Sequence, residues 1–549
     1  MTLFIMIKII IFSFITNLMF YSYGHLIKNK KSSNKIESYN QISILGCILI
    51  SFIALFINFF FPLNEIFNTI LLVLGLIYFF LIKRVNLKKK EIYYIFLTSL
   101  VTTTLLLYSN VYRPDAGLYH LPYTSFLNEH KIIFGLSNIH FRFGMISIMQ
   151  YLSAINNNIL FKDIGIVIPL ASLVTFFIIH FFNSTLEIFK KNKTNLKNIF
   201  SLFIIIFISY KINRYSSYGN DAVGHLSFFY LISIMLSAKK KDLNFISLIA
   251  VFAFLNKPTM IVILLFPLLI FIKNYNIKNL RLIYSLSSFL FIFWILKNIV
   301  ITGCAIYPLK QTCFNNLSWT NIEEIKQEST SGEAWSKAWP DRRNNKISMD
   351  DYNKNFNWFL SWKDNHGRYV LKILTPYLMT LLIILYLLRK EKNSQNNILL
   401  KKDIYFIFAL TVSIIGCILF FIKFPLFRYG YSYLISSIIL AILAISKNFS
   451  EIKLIKVSKI IFLICLFVIL GKQGLRINKN LDSTFLWPRI YSHVTNKNIN
   501  SRKIKLHKKF SAYQYDGLCM YSKSPCSTYK LNESIHTIHK LNYIFINLK

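Results

Sequence analysis

Residues 112–145 open with Tyr112-Arg113-Pro114-Asp115-Ala116-Gly117-Leu118-Tyr119-His120-Leu121-Pro122. They continue through Asn128-Glu129-His130-Lys131 to Asn138-Ile139-His140-Phe141-Arg142-Phe143-Gly144. About thirty residues thus hold Arg113, Asp115, His120, Glu129, His130, His140 and Arg142, with long apolar runs on both sides. A polar cluster is costly close to hydrocarbon and persists where it has a task. Asp115 follows the apolar run 92–111 within four residues, which sets it at a membrane surface. The plainer reading is a solvated loop in which Asp115 caps a helix.

Working outward, the chain is apolar in blocks of about twenty residues separated by lysine. Hydrophobic residues make up 54% of its 549 positions. About twenty apolar residues span a hydrocarbon core. Backbone polar groups there must be satisfied internally, so the blocks are expected as helices. A net charge of +40 would suggest nucleic acid in a soluble protein. Here the lysines lie between blocks, where they set orientation, so we expect no nucleic-acid partner.

The first block, 3–23, lacks a small-residue cleavage site and reads as a retained helix. Lys28, Lys30, Lys31 and Lys35 mark the cytoplasmic side after it. Blocks 41–61 and 66–82 form a hairpin with a short Pro62-Leu63-Asn64 turn, and Lys83, Arg84 and Lys88 to Lys90 mark the cytoplasmic side again. Block 92–111 delivers 112–145 to the opposite face. Residues 146–162 are too broken for a span, and blocks follow at 163–185, 198–212 and 224–238. In 243–272, two short runs flank Asn256-Lys257-Pro258-Thr259, and proline disfavours helix in the residue before it. Short broken helices in membranes line cavities. Block 282–301 leads to a polar loop, 302–368, with five of the seven tryptophans: Trp319, Trp335, Trp339, Trp358 and Trp362. Four spans follow near 369–388, 403–422, 429–446 and 458–471.

The expected fold is therefore an all-α transmembrane bundle of about fourteen spans. Its units are 1–91 (N-terminal membrane helices), 92–301 (membrane core with the first external loop at 112–162), 302–368 (external tryptophan-rich loop), 369–471 (C-terminal membrane helices) and 472–549 (a small external tail). Both loops and the tail fall on the non-cytoplasmic face; the basic tail is kept there because long segments translocate largely regardless of charge. Cys47, Cys417 and Cys465 lie inside apolar blocks. Cys304 with Cys313, and Cys519 with Cys526, form close pairs in external segments and read as disulfides of an oxidising compartment. Zinc fits less well, since neither pair has zinc-knuckle spacing.

On the outer face the unusual residues are Asp115, His120, Arg142, Asp221, Lys257 and Arg428. Transfer of a sugar from a lipid phosphate needs such a set. A carboxylate takes the proton of an acceptor hydroxyl. Cations hold the departing phosphate, arginine in a fork and lysine as a point charge. Aromatic faces, here those of the loop tryptophans, stack on sugar. Each has a structural alternative: Asp221 caps the helix from 222, Lys257 snorkels to headgroups, and the tryptophans form an interfacial belt.

Asp115-Ala116-Gly117-Leu118-Tyr119-His120 resembles the first external loop of the GT-C superfamily of polyprenyl-phosphate-sugar glycosyltransferases. That segment, Gly-Leu-Ser-Asn-Ile-His-Phe-Arg-Phe-Gly at 135–144, Lys-Asn-Ile-Val-Ile-Thr-Gly-Cys-Ala-Ile-Tyr-Pro at 297–308 and Cys-Met-Tyr-Ser-Lys-Ser-Pro-Cys at 519–526 together resemble an uncharacterised family of large bacterial membrane proteins with a GT-C-like pattern. The resemblance covers about 92–530. It implies a GT-C-type bundle with Asp115 in the place of the superfamily's loop aspartate. More spans precede the loop than the superfamily's usual one, and Ala116 stands where many members have a second acid.

The leading expectation is a membrane glycosyltransferase of the cell envelope, acting on the outer face of a bacterial inner membrane. Asp115, Asp221 and His120 are its candidate catalytic residues; Arg113, Tyr119, His140, Arg142, Lys257 and Arg428 are its candidate binding residues. Expected partners are a polyprenyl-phosphate-linked sugar, a glycan or lipid acceptor, and membrane lipid. No metal or cofactor is expected. No Asp-x-Asp or glycine-rich phosphate loop faces the cytoplasm, which disfavours a nucleotide-sugar donor. The alternatives are a flippase or transporter, or a polymerase, of lipid-linked polysaccharide. A transporter would show charges within many spans and internal repeats; neither is evident.

Overall fold

The structure, a computed structural model, describes residues 2–27, 39–86, 89–109, 114–191, 195–237, 242–273, 282–339, 347–388, 397–399, 403–445, 448–488, 490, 501–507, 510–531 and 535–548. Several of the basic connections used to orient the spans, among them 28–38, 192–194, 238–241, 274–281 and 389–396, lie outside those residues.

Helices dominate. The N-terminal group is α1 (Thr2–Ile27), α2 (Tyr39–Asn58), α3 (Glu65–Asn86) and α4 (Lys89–Leu106). The first loop contributes α5 (Leu121–Glu129) and α6 (Ile148–Ile155). The central group is α7 (Ile168–Lys191), α8 (Leu196–Lys211), α9 (Asp221–Met235), α10 (Leu243–Asn256), α11 (Leu265–Lys273) and α12 (Leu282–Thr302). The large loop holds α13 (Ile322–Ser336), α14 (Met349–Asn353) and α15 (Phe359–Trp362). The last group is α16 (Arg368–Leu387), α17 (Ile404–Lys423), α18 (Phe427–Ile445) and α19 (Glu451–Asn480).

Among the described residues, nine helices are long and apolar enough to cross a membrane, and five apolar segments are shorter. The protein is thus a helical, multi-pass membrane protein. α7 and α8 form its buried centre, whereas α16, α17 and α19 leave most of their apolar surface uncovered. Leu371, Tyr386, Ile407 and Phe467 are all more than half exposed. Such a contiguous apolar exterior is untenable in water and suits lipid. In the first pair the backbones nearly touch: a Cβ on Gly24 would lie 1.8 Å from the Ile42 carbonyl oxygen, and one on Gly46 1.7 Å from that of Phe20. Small residues permit this close packing in membranes.

Three irregularities shape one end of the bundle. Residues 116–120 form a π-helical turn leading into α5; such turns recur at functional sites. Ser147 and Gln150 form a capping box that starts α6. α10 stops at Lys257, whose extended backbone (φ −151°, ψ 103°) obeys the constraint imposed by Pro258. The chain resumes as a tight turn over 258–264 before α11.

The tail departs from the all-α expectation. α19 runs to Asn480, nine residues past the expected span end. Beyond it come short strands: β3 (Arg502–His507) pairs antiparallel with β4 (Phe510–Gln514), β4 parallel with β5 (Cys526–Ser527), and β6 (Ile535–Lys540) antiparallel with β7 (Tyr543–Leu548). (Two three-residue strands, β1 at 397–399 and β2 at 448–450, also pair.) The tail's strand-period pattern, Arg-Lys-Ile-Lys-Leu-His at 502–507, is the physical reason. Nor does the tail stand apart. Asn138 Nδ2 donates to the Ile546 carbonyl at 2.9 Å, and Leu518 and Met520 lie against Gly117.

Disulfides join Cys304 to Cys313 (Cα–Cα 3.8 Å) and Cys519 to Cys526 (5.6 Å). The first is also an antiparallel backbone bridge.

Candidate active site at one end of the bundle

A cavity of about 320 Å³ opens where α4, α8, α10, α12 and α17 end and α9 and α18 begin. Asp115, Tyr119, His120, Arg142, Asp221, Lys257 and Arg428 all line it. Seven residues spread over more than three hundred positions are thereby brought together.

Two ion pairs organise it. Arg428 Nη1 donates to Asp115 Oδ2 at 2.8 Å, tying the first turn of α18 to the loop after α4. Lys257 Nζ donates to Asp221 Oδ1 at 2.6 Å and to the Arg428 carbonyl at 2.8 Å. His225 Nε2 donates to that same carbonyl at 2.8 Å, so its Nδ1 accepts from Ser432 Oγ at 2.7 Å. Lys257 is 5% exposed, whereas Asp221 is 35% exposed. The lysine therefore does not snorkel; it is buried and paired. Neither aspartate caps its helix through its side chain: Asp115 makes no capping bond, and Asp221 is already the first helical residue, behind Asn220.

Arg142 has no carboxylate within ion-pair distance among the described residues. Its guanidinium lies 5.1 Å from the Tyr119 ring centre and 5.2 Å from that of Phe141. His120 is buried, and burial lowers its pKa to about 4, so it is neutral. Gln150 fixes its tautomer: Gln150 Oε1 accepts from the Ser147 amide at 3.0 Å. Its Nε2 therefore donates to His120 Nδ1 at 2.7 Å, leaving the ring proton on Nε2.

Among the described candidates, His140 does not line the cavity. His140 Nδ1 accepts from the Arg142 amide at 3.2 Å and its ring packs on Phe143 and Tyr529. Burial, aided by Arg142, lowers its pKa to about 3, so it starts the turn that carries Arg142 rather than meeting a ligand. Arg113 lies outside the described residues. The loop tryptophans are elsewhere too. Trp358 and Trp362 pack on Phe421, and Trp319 Nε1 donates to the Ile299 carbonyl at 3.0 Å. The cavity's aromatic faces instead include Tyr119, Tyr215, Trp294, Tyr307, Tyr429 and Tyr431. The disulfide cysteines do not line the cavity, although Cys304–Cys313 closes the loop that carries Tyr307.

Sequence reasoning missed Arg214, Trp294 and Glu328, which also line the cavity. Arg214 sits seven residues before Asp221 and shared its signal; Glu328 stands in a run of ordinary polar residues and gave none. Among the described residues, no group of three or more His, Cys, Asp or Glu side chains could hold a metal ion.

Fold and site define a class: a helical membrane protein with a paired-charge cavity at one end of its bundle. The chain belongs to the family described as a domain of unknown function, DUF8201, whose model matches residues 4–435. No curated protein and no solved structure matches it.

Proposed function

We propose that this protein is a GT-C-type membrane glycosyltransferase that moves a sugar from a polyprenyl-phosphate-linked donor to an envelope glycan, lipid or protein acceptor on the non-cytoplasmic face. The observation that carries the reading is the cavity's charge. Arg142, Arg214, Lys257 and Arg428 line it with Asp115, Asp221 and Glu328. Two of the cations are engaged by aspartates, which leaves Arg142 and Arg214 for a ligand's negative charge. A phosphate bound to a lipid and a sugar meets this demand, because the surrounding helices are apolar and the lining aromatic rings can stack on sugar. Nine long and five shorter apolar segments among the described residues supply as many passes as this reading uses.

In this reading Arg142 and Arg214 hold the phosphate as charge develops on it. The sequence makes Asp115 the proton acceptor. Its pairing with Arg428 favours a different task, to fix that guanidinium and orient the sugar.

The test uses purified protein in liposomes with a polyprenyl-phosphate-linked hexose. Arg142→Gln is expected to weaken donor binding roughly 10–100-fold, the loss of one charge-assisted contact. Asp115→Asn should weaken it by a smaller factor and keep the fold. Movement of intact donor across the bilayer without release of polyprenyl phosphate would sink the proposal.

A further inference from the structure

α13 reaches the cavity from the large loop, beside the disulfide-closed turn at 307–309. Its residues Glu328, Ser329 and Gly332 share one face and line the wall. Of the three lining carboxylates, Asp115 holds Arg428 and Asp221 holds Lys257. The Glu328 carboxylate has no ion-pair or hydrogen-bond partner among the described residues. A half-buried carboxylate left without a partner costs free energy, and it faces a cavity where a ligand can supply one. Beside it lies open room: a Cβ on Gly332 would meet nothing within 4 Å.

The groups acting on Glu328 come from several elements. Arg142, on the turn at 141–145, favours its charged form, and Glu324, one helical turn earlier, disfavours it. Tyr307, from the disulfide-closed loop, feels Glu328, Glu324 and Arg142 alike. Lys310 sits on the neighbouring turn at 310–312, and Asp350 of α14 accepts from Thr330. Burial outweighs the rest and pushes the Glu328 carboxyl up to about 7. A general base works best with its pKa near the operating pH.

We propose that Glu328 takes the proton from the acceptor hydroxyl, and that α13 forms the acceptor side of the cavity. The inference rests on the transferase reading above. In the step, the acceptor O–H bond breaks and its proton passes to the Glu328 carboxylate. The freed oxygen bonds to the anomeric carbon. The bond from that carbon to the phosphate oxygen breaks, and its electron pair leaves on polyprenyl phosphate beside Arg142 and Arg214. One negative charge moves from Glu328 to the departing phosphate, so charge and atoms balance.

The experiment measures polyprenyl phosphate release, donor binding and infrared carboxyl titration on the full-length protein in liposomes. The donor is a polyprenyl-phosphate-linked hexose, and detergent-extracted envelope glycolipid serves as acceptor. Wild-type rate is expected to rise with pH through about 7, as the Glu328 carboxyl ionises. Glu328→Gln should lower the rate roughly 10²–10⁴-fold, abolish that rise, remove a carboxyl band titrating near neutral pH, and leave donor binding unchanged. Glu324→Gln should move the rise to lower pH with the plateau kept, because a charge opposing ionisation of Glu328 is gone. Gly332→Leu should raise the acceptor KM while donor binding persists. A Glu328→Gln protein with the wild-type rate and pH profile overturns the inference, as does one that loses donor binding in step with rate. If the wild type neither binds nor cleaves the donor, the transferase reading itself falls.

Discussion

Arg428 connects more of the site than any other residue. Its side chain meets Asp115 and the Tyr429 hydroxyl, while its carbonyl accepts from Lys257 and His225. The adjoining Lys257–Asp221 pair is asymmetric, a buried cation held by a partly exposed anion. Removing the anion alone strands a charge, whereas removing both partners does not. Asp221→Asn is therefore expected to destabilise the protein by roughly 3–5 kcal/mol, and Asp221→Asn with Lys257→Met to recover most of that loss. Thermal unfolding in detergent measures both; equal losses would show that the pair is not coupled. Asp115, Asp221, Lys257 and Arg428 were legible in the sequence because each is a charge beside an apolar run. Glu328 was not, because a glutamate among Glu, Lys and Gln has no contrast. His140 shows the opposite limit: the sequence revealed that it was unusual but not which way its ring faces.

At the scale of elements, many helix ends were legible where a charge or Pro interrupts an apolar run, although α19 continues nine residues past the expected end at 471. The break at Lys257–Pro258 is the clearest case, since proline's effect on its predecessor is local. Less visible was how ends are satisfied. α4 finishes at Leu106, and its last carbonyls would be orphaned in an apolar setting. Arg476 of α19 supplies the donors: Nη1 reaches the Leu107 carbonyl and Nη2 the Thr104 carbonyl, both at 2.8 Å, while Nε reaches Gln473 Oε1 at 3.1 Å. No local pattern links positions 104 and 476, so sequence alone could not pair them. Arg476→Met keeps much of the volume and loses the charge-assisted bonds, at a cost of roughly 2–3 kcal/mol. The loss should appear as a lower unfolding temperature together with weaker donor binding, because α4 leads directly into the Asp115 turn. An unchanged unfolding temperature would show that lipid or water replaces the guanidinium.

The molecule as a whole is organised by where its non-membrane parts gather. α13 of the large loop lines the cavity, and the tail grips the first loop through Asn138 with Ile546 and through Leu518 and Met520 at Gly117. The sequence placed these segments on one face from lysine alternation but described the tail as a separate unit, since pairing across four hundred residues leaves no local mark. These contacts require one side of the membrane for all three segments, whatever the tail's charge, and the proposed function makes that side external. The prediction uses single cysteines at exposed sites: Lys326→Cys on α13, Lys540→Cys on β6, and Lys456→Cys near the start of α19. Of the three unpaired cysteines, two are buried and one is partly so, which keeps background labelling low. In intact cells a membrane-impermeant maleimide should label positions 326 and 540 and spare 456; permeabilised cells should add 456. Labelling of 326 and 540 only after permeabilisation would turn the cavity to the cytoplasm and exclude a donor presented from outside. Labelling of just one of the two in intact cells would contradict the packing of tail and loop around one cavity.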